Sequence, residues 1–158
     1  MPTKNHVKYE LDVELQFATP ALEDKWGSHL PKRLLKKWIK AAVKQDAKFL
    51  VRLVGSAESK KLNAEYRGQD HATNILTFTL HDPIIDNFLI ADLVICIPVV
   101  EREAKEQGKN ALDHFIHLII HGVLHAQGFD HEDEIDAMAM ESLEIAILKN
   151  LKIKNPYQ

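Results

Sequence analysis

The stretch Asn110-Ala-Leu-Asp-His114-Phe-Ile-His117-Leu-Ile-Ile-His121-Gly122-Val-Leu-His125-Ala-Gln-Gly128-Phe-Asp130-His131 combines a helix with a cluster of metal-ligating side chains. Asn110 is suited to cap a helix N-terminus, and Gly128 to end the helix in a left-handed turn. At about 100° per residue, His114, His117, His121 and His125 fall within a sector of roughly 80°, while Ile116, Ile119, Ile120, Val123 and Leu124 cover the other faces. Residues four apart stand one above the other on a helix, so His121 and His125 can present two imidazoles to one ion. The turn at Gly128 can return His131 to the same point as a third ligand. Three neutral imidazoles with water in the fourth position are the arrangement of catalytic zinc, so one zinc ion held by His121, His125 and His131 is expected. The same ligands also suit nickel, copper or iron. His117 and His114 read as residues that line the groove or support a ligand, a purely structural role being the alternative. Asp130 could orient an imidazole by accepting its N–H, and Glu132 reads as a helix cap.

The spacing H-x3-H-x2-G-x2-H is also that of the metzincin proteases, H-E-x-x-H-x-x-G-x-x-H, and the difference is informative. Gly122 stands where their glutamate supplies the general base for peptide hydrolysis. The metal spacing is kept while the proteolytic base is lost, which disfavours a peptidase of that chemistry.

Upstream of this helix the chain alternates strands and helices. Val7 to Phe17 places Val7, Tyr9, Leu11, Val13, Leu15 and Phe17 on one face, the pattern of a half-buried strand that ends before Pro20. Pro31 to Gln45 carries Leu34, Leu35, Trp38, Ile39, Ala42 and Val43 at helical spacing, with lysines largely opposite. Phe49 to Val54 is a short strand, and Ser56 is suited to cap a helix running to about Tyr66, followed by the loop Arg67-Gly68-Gln69-Asp70-His71. Asn74 to Leu80 and Ile90 to Ile97 are two further strands, joined by a polar connection with Asp82-Pro83 and Asp86-Asn87. Pro98 could open a helix to about Gln107, closed by Gly108. Downstream, Glu132 to about Lys149 reads as a last amphipathic helix through Ile135, Met138, Leu143, Ile145 and Leu148. The expected architecture is one α+β domain over residues 1–158. A small mixed four-stranded sheet would be covered by about five helices, with the metal site on the histidine helix and the following turn.

The 158 residues, 46% hydrophobic and 27% charged, suit an ordinary globular domain. The single cysteine, Cys96, lies in an apolar run and reads as a small buried thiol, which removes any disulfide framework. No signal peptide and no membrane-length apolar run is visible, so a cytoplasmic protein is expected. A net charge of −3 argues against nucleic-acid binding by bulk electrostatics alone. Local charge is uneven, however. Lys32, Arg33, Lys36, Lys37, Lys40 and Lys44 crowd one helix, and Lys36, Lys37 and Lys40 could follow an RNA backbone or simply form a solvated face.

Several separated blocks resemble the YbeY family of bacterial endoribonucleases. His117-Leu-Ile-Ile-His121-Gly-Val-Leu-His125-Ala-Gln-Gly128-Phe-Asp130-His131 resembles the family's H-x3-H-G-x-L-H-x2-G-[YF]-D-H signature. Leu62-Asn63-Ala-Glu-Tyr66-Arg67-Gly68-Gln-Asp70-His-Ala-Thr73-Asn74-Ile75-Leu76-Thr-Phe78, Ala91-Asp92-Leu93-Val94-Ile95 and Met140-Glu141-Ser-Leu-Glu144 are similar to three further family blocks. Ala91 replaces the usual glycine, Thr77 the usual serine, and Ala126-Gln127 stand where apolar residues are frequent.

A zinc-bound water with a pKa near 7 supplies a nucleophile without a glutamate base, and a phosphodiester also needs its developing charge neutralised. Arg67, after a helix and beside a glycine, is the best candidate because a guanidinium can hold two phosphate oxygens. The resemblance points to the same arginine, and a salt bridge with Asp70 is the structural alternative. The resemblance implies a zinc-dependent, single-strand-specific endoribonuclease acting in 16S rRNA 3′-end maturation and ribosome quality control. Implied partners are single-stranded RNA or rRNA and the ribosome or small-subunit assembly proteins. Two alternatives stay open: a zinc hydrolase of a peptide or amide bond, and a non-catalytic ribosome assembly factor with a structural metal.

Overall fold

Apolar residues at every second position drive four segments into one sheet, and a computed structural model describes them within residues 8–80, 87–129 and 133–158. The strands are β1 (Leu11–Phe17), β2 (Asp46–Val54), β3 (Ile75–Thr79) and β4 (Phe88–Cys96), in the order β1-β2-β4-β3. β1, β2 and β4 run parallel, and β3 closes the sheet as an antiparallel edge. The helices are α1 (Pro20–Trp26), α2 (Lys32–Ala42), α3 (Ser56–Arg67), α4 (Ile97–Glu106), α5 (Ala111–Ala126) and α6 (Glu134–Asn150). The mixed sheet and the single α+β domain are as the sequence implies. Among the described residues there are six helices rather than about five.

The additional helix is α1. Pro20 does not merely follow a strand. Thr19 caps a helix by accepting from the backbone N–H of Leu22, and Pro20 takes the first turn, where it needs no intrahelical donor. Trp26 at its end is buried against Phe115 of α5, with ring centroids 5.3 Å apart. Other boundaries shift by a few residues. Pro31 caps α2 and Gly55, not Ser56, caps α3, while β2 begins at Asp46, whose carboxylate accepts from the Glu10 N–H at 2.8 Å. Val7, Asp82, Pro83 and Asp86 lie outside the described residues.

Two apolar layers sandwich the sheet unequally. Phe49, Val51, Leu53, Leu89, Leu93 and Ile95 belong to the large core, with Leu35, Ile39, Phe115, Ile119 and Ile120 from the helices. A smaller cluster on the other face gathers Val54, Leu76, Val94, Cys96 and Val99, with Leu62 of α3 packed against it. Cys96 is a buried free thiol and Trp38 a core residue, as expected. Arg52 of β2 holds Glu58 of α3 through two hydrogen bonds of 2.7 and 2.9 Å, and this guanidinium keeps the Glu58 carboxyl below its usual range. Ala91, in the position where the family pattern has glycine, is an ordinary strand residue opposite Phe49 and Thr79.

α5 is the central helix. Asn110 caps it, its side-chain oxygen accepting from the N–H groups of Leu112 and Asp113. At the other end Gly128 takes a φ of +98°, a left-handed conformation that glycine adopts without strain. Gln127 couples this end to α2: its amide accepts from Lys44 N–H at 2.8 Å and donates to the carbonyl of Ala42 at 2.9 Å. That explains a polar residue where the family pattern favours an apolar one, because the last carbonyls of α2 need donors.

Midway along α5, Gly122 faces the sheet. A Cβ there would stand 2.8 Å from Ile75 Cδ1 and 3.1 Å from Leu93 Cδ2, so the helix lies closer to β3 and β4 than any side chain permits without displacement. Gly122→Glu is expected to lower stability by about 1–3 kcal/mol or more, through overpacking and an acid pressed against apolar groups. Denaturant unfolding measures it, and a wild-type midpoint would refute the close-packing account.

α6 corrects the reading of its amphipathic face. Ile135 and Met138 are 80% and 67% exposed, and the buried positions are Met140, Glu144, Ile147 and Leu148. Its cap is Asp133, which accepts from Asp136 N–H at 2.8 Å. Glu132, expected to cap it, lies outside the described residues.

Candidate active site

The histidine face of α5 forms one wall of a cleft of about 1130 Å³, and the edge strand β3 forms another. The cleft brings together His114, His117, His121, His125 and Arg67, residues that the sequence singled out from two distant segments. His131 and Asp130 lie outside the described residues. Among the described residues no three His, Cys, Asp or Glu side chains are grouped to hold a metal. Lys36, Lys37 and Lys40 are exposed on α2, which packs on β1 at the opposite edge of the sheet from β3, and they do not line the cleft.

Hydrogen bonding divides the four histidines into two kinds. His114 Nε2 donates to Glu103 Oε1 at 3.0 Å, and His117 Nε2 lies 3.4 Å from Glu144 Oε2. Their Nδ1 atoms are buried with no hydrogen-bond partner among the described residues, the less costly arrangement being a bare lone pair there and the proton on Nε2. His121 and His125 are reversed. His121 Nδ1 lies 2.5 Å from Glu144 Oε1, and His125 Nδ1 lies 3.1 Å from the carbonyl of Phe129. Carboxylate and carbonyl oxygens only accept, so Nδ1 is the donor in both rings. The two rings are nearly parallel, 5° apart, with centroids separated by 6.5 Å. Two imidazoles one turn apart, one of them backed by a carboxylate, are a donor set whose chemistry fits a divalent metal such as zinc.

Glu144 is the residue that sequence reasoning missed. It is 0% exposed, yet it accepts from His121, His117 and the hydroxyl of Tyr157. Burial pushes its carboxyl up, but those donors prevail and hold it at about 2. An ionised carboxylate inside the protein is tolerated only with such partners. The available signal was a glutamate in register with Met140, Ile147 and Leu148, where an apolar residue would be usual. Tyr157 is 45% exposed as a residue, but partial burial of its hydroxyl, with Glu144 beside it, raises that group above its ordinary range.

Further along the cleft, Glu103 accepts from His114 and, at 3.0 Å, from Asn74 Nδ2, and the bond from His114 keeps it below the usual carboxylate range. Arg67 ends α3, where Gly68 at φ +68° turns the chain away. The Arg67 side chain is exposed, lines the cleft and makes no ion pair among the described residues, Asp70 instead lying 3.8 Å from Lys60. A guanidinium with no internal carboxylate keeps its donors for an anion entering the cleft.

A cleft walled by histidines, with a carboxylate behind them and an arginine at its side, suits hydrolysis of a phosphodiester. The chain belongs to the endoribonuclease YbeY family, whose sequence model it matches over residues 21–152. It is 47% identical over 150 residues to the endoribonuclease YbeY of a Polaromonas species, covering 94% of this chain and 95% of the relative. The protein of the same name from Burkholderia pseudomallei is 48% identical over 151 residues, covering 94% of this chain and 81% of the relative. The fold is similar to the solution structure of TM1509 from Thermotoga maritima, with a TM-score of 0.55 and 24% identity over 92% of this chain and 95% of that one.

Proposed function

We propose that the chain is a zinc-dependent endoribonuclease that hydrolyses phosphodiester bonds of single-stranded RNA, with His121, His125 and His131 as metal ligands and Arg67 as the phosphate clamp. The observation that carries this reading is that His121 and His125, one turn apart on α5, each set Nδ1 against an acceptor oxygen in a cleft shared with Arg67. The family name of the relatives supports the RNA substrate. Bound by these histidines, zinc supplies a Lewis acid and a water acidic enough to ionise near neutral pH. The protein's own groups do the rest. Glu144 retains the Nδ1 proton of His121 and fixes the ring, and Phe129 O does the same for His125. Arg67 takes two non-bridging phosphate oxygens and offsets the charge that develops as the bond breaks. Gly122 carries no carboxylate at the position where a metzincin has its peptidase base.

The substrate we assign is ribosomal RNA, cut in maturation of the 16S 3′ end and in quality control of ribosomes, with small-subunit assembly proteins as partners in the cytoplasm. The family resemblance supports this assignment. Among the described residues no helix is long and apolar enough to cross a membrane.

Metal analysis joined to cleavage assays on single-stranded RNA and on peptides tests the reading. Wild-type protein is expected to carry about one equivalent of zinc and to cut RNA but not peptide, with chelation stopping the reaction. His125→Ala is expected to fall well below one equivalent and to lose cleavage. Full RNA cleavage after the metal has been stripped, or cleavage of peptide alone, would overturn the proposal.

A further inference from the structure

After α6 the chain turns at Lys152, whose φ is +64°, and comes back to the cleft, which Pro156 and Tyr157 line. Lys109 Nζ ties the segment to the body of the protein by donating to the carbonyl of Pro156 at 2.6 Å, and within the segment the N–H of Tyr157 donates to Asn155 Oδ1 at 2.8 Å. The Tyr157 ring stands edge-on to His117, with centroids 5.5 Å apart at 83°, and its hydroxyl donates to Glu144 Oε2.

The two oxygens of Glu144 thus have different duties. Oε1 faces Nδ1 of His121, while Oε2 receives the tyrosine hydroxyl and, at a longer 3.4 Å, His117 Nε2. A carboxylate has one rotatable torsion at its end, and it turns toward whichever donors remain. With the hydroxyl in place, rotation would sacrifice a charge-assisted bond on Oε2 as well as the one to His121 on Oε1. Without it, the bond to His121 and the long contact to His117 are what oppose rotation, and the oxygen against His121 is held less firmly.

We propose that Tyr157 is a positioning residue of the cleft: its hydroxyl fixes Glu144 so that the imidazole of His121 presents Nε2 in one orientation, with Lys109 holding the segment that delivers the tyrosine. This rests on the reading of His121 as a metal ligand. A group that directly orients a ligand, as Glu144 does, is worth about 10–100-fold in metal affinity, and Tyr157, one contact further out, contributes a part of that.

Tyr157→Phe keeps the ring and its packing on His117 and removes only the hydroxyl. Its zinc affinity, measured by competition with a chromophoric chelator well below the melting temperature, is expected to fall by up to about 10-fold, less than in Glu144→Ala. RNA cleavage at limiting zinc is expected to fall with it and to recover when zinc is raised, since mass action refills a weakened site. A purely structural tyrosine would lower the thermal midpoint and leave both the affinity and the zinc rescue unmoved. Lys109→Met, which leaves the hydroxyl intact, is expected to weaken zinc binding in the same direction by less. Wild-type zinc binding together with unchanged affinity in Tyr157→Phe would overturn this inference alone. A wild-type protein that binds no zinc would remove the metal reading, and this one with it.

Discussion

Arg67→Ala is expected to bind zinc as the wild type does and to cleave single-stranded RNA about 10²–10³-fold more slowly, the loss that removal of one donor to a developing oxyanion produces. The separation follows from the geometry. Arg67 leaves α3 at its last residue, with its side chain in solvent at the side of the cleft, and among the described residues it bridges no other element. Its removal therefore leaves the core and the hydrogen bonds of His121 and His125 intact. Only the phosphate loses a partner. Arg67→Lys is expected to recover a small part of the rate, because an ammonium offers a point charge in place of a planar two-pronged donor. Single-turnover cleavage alongside elemental analysis measures both quantities, and wild-type turnover by Arg67→Ala would remove the arginine from the mechanism.

Glu144→Ala is expected to act the other way, on metal before chemistry. The side chain is fully buried and accepts from three donors on α5 and the C-terminal segment. Truncation releases His121 Nδ1, which can then lose its proton preference and its orientation, and zinc affinity is expected to fall by about 10–100-fold. Donors left without an acceptor in a buried site cost about 1–3 kcal/mol of stability. Glu144→Gln should be intermediate, since its amide NH2 meets a donor wherever it turns. Calorimetry of the metal-free protein separates the stability cost from the affinity loss, and wild-type zinc affinity in both variants would show that the carboxylate does not orient His121.

What the sequence made legible were features with a local signature. The alternation of β1, the Asn110 cap, the left-handed Gly128 and the histidine spacing each depend on residues a few positions apart, and each is found in the structure. Helix α1 also has a local signature, the Thr19-Pro20 pair, but it is only seven residues long, and a proline after a strand marks the end of the strand as readily as the start of a helix. The partnerships within the cleft had none. Glu144 meets His121 from 23 residues away and Tyr157 meets His117 from 40, and nothing in the periodicity of either segment announces the other. Periodicity misled in α6, where Ile135 and Met138 suggested a buried face that they do not share with Glu144. The lysines of α2 show the reverse limit. Their clustering was visible, but only the sheet order places them at the edge away from β3.

Gly122 links two properties that are usually free to vary separately. The residue whose lack of a side chain denies the cleft a peptidase base is also the residue that sets the distance between α5 and the sheet, through its approach to Ile75 and Leu93. A lineage drifting toward peptide hydrolysis would have to introduce an acid at this position and, at once, carve space from two neighbouring strands. The first step on that route is expected to cost stability before it yields a new base. Helix packing thereby weighs against evolutionary change of reaction type in this cleft.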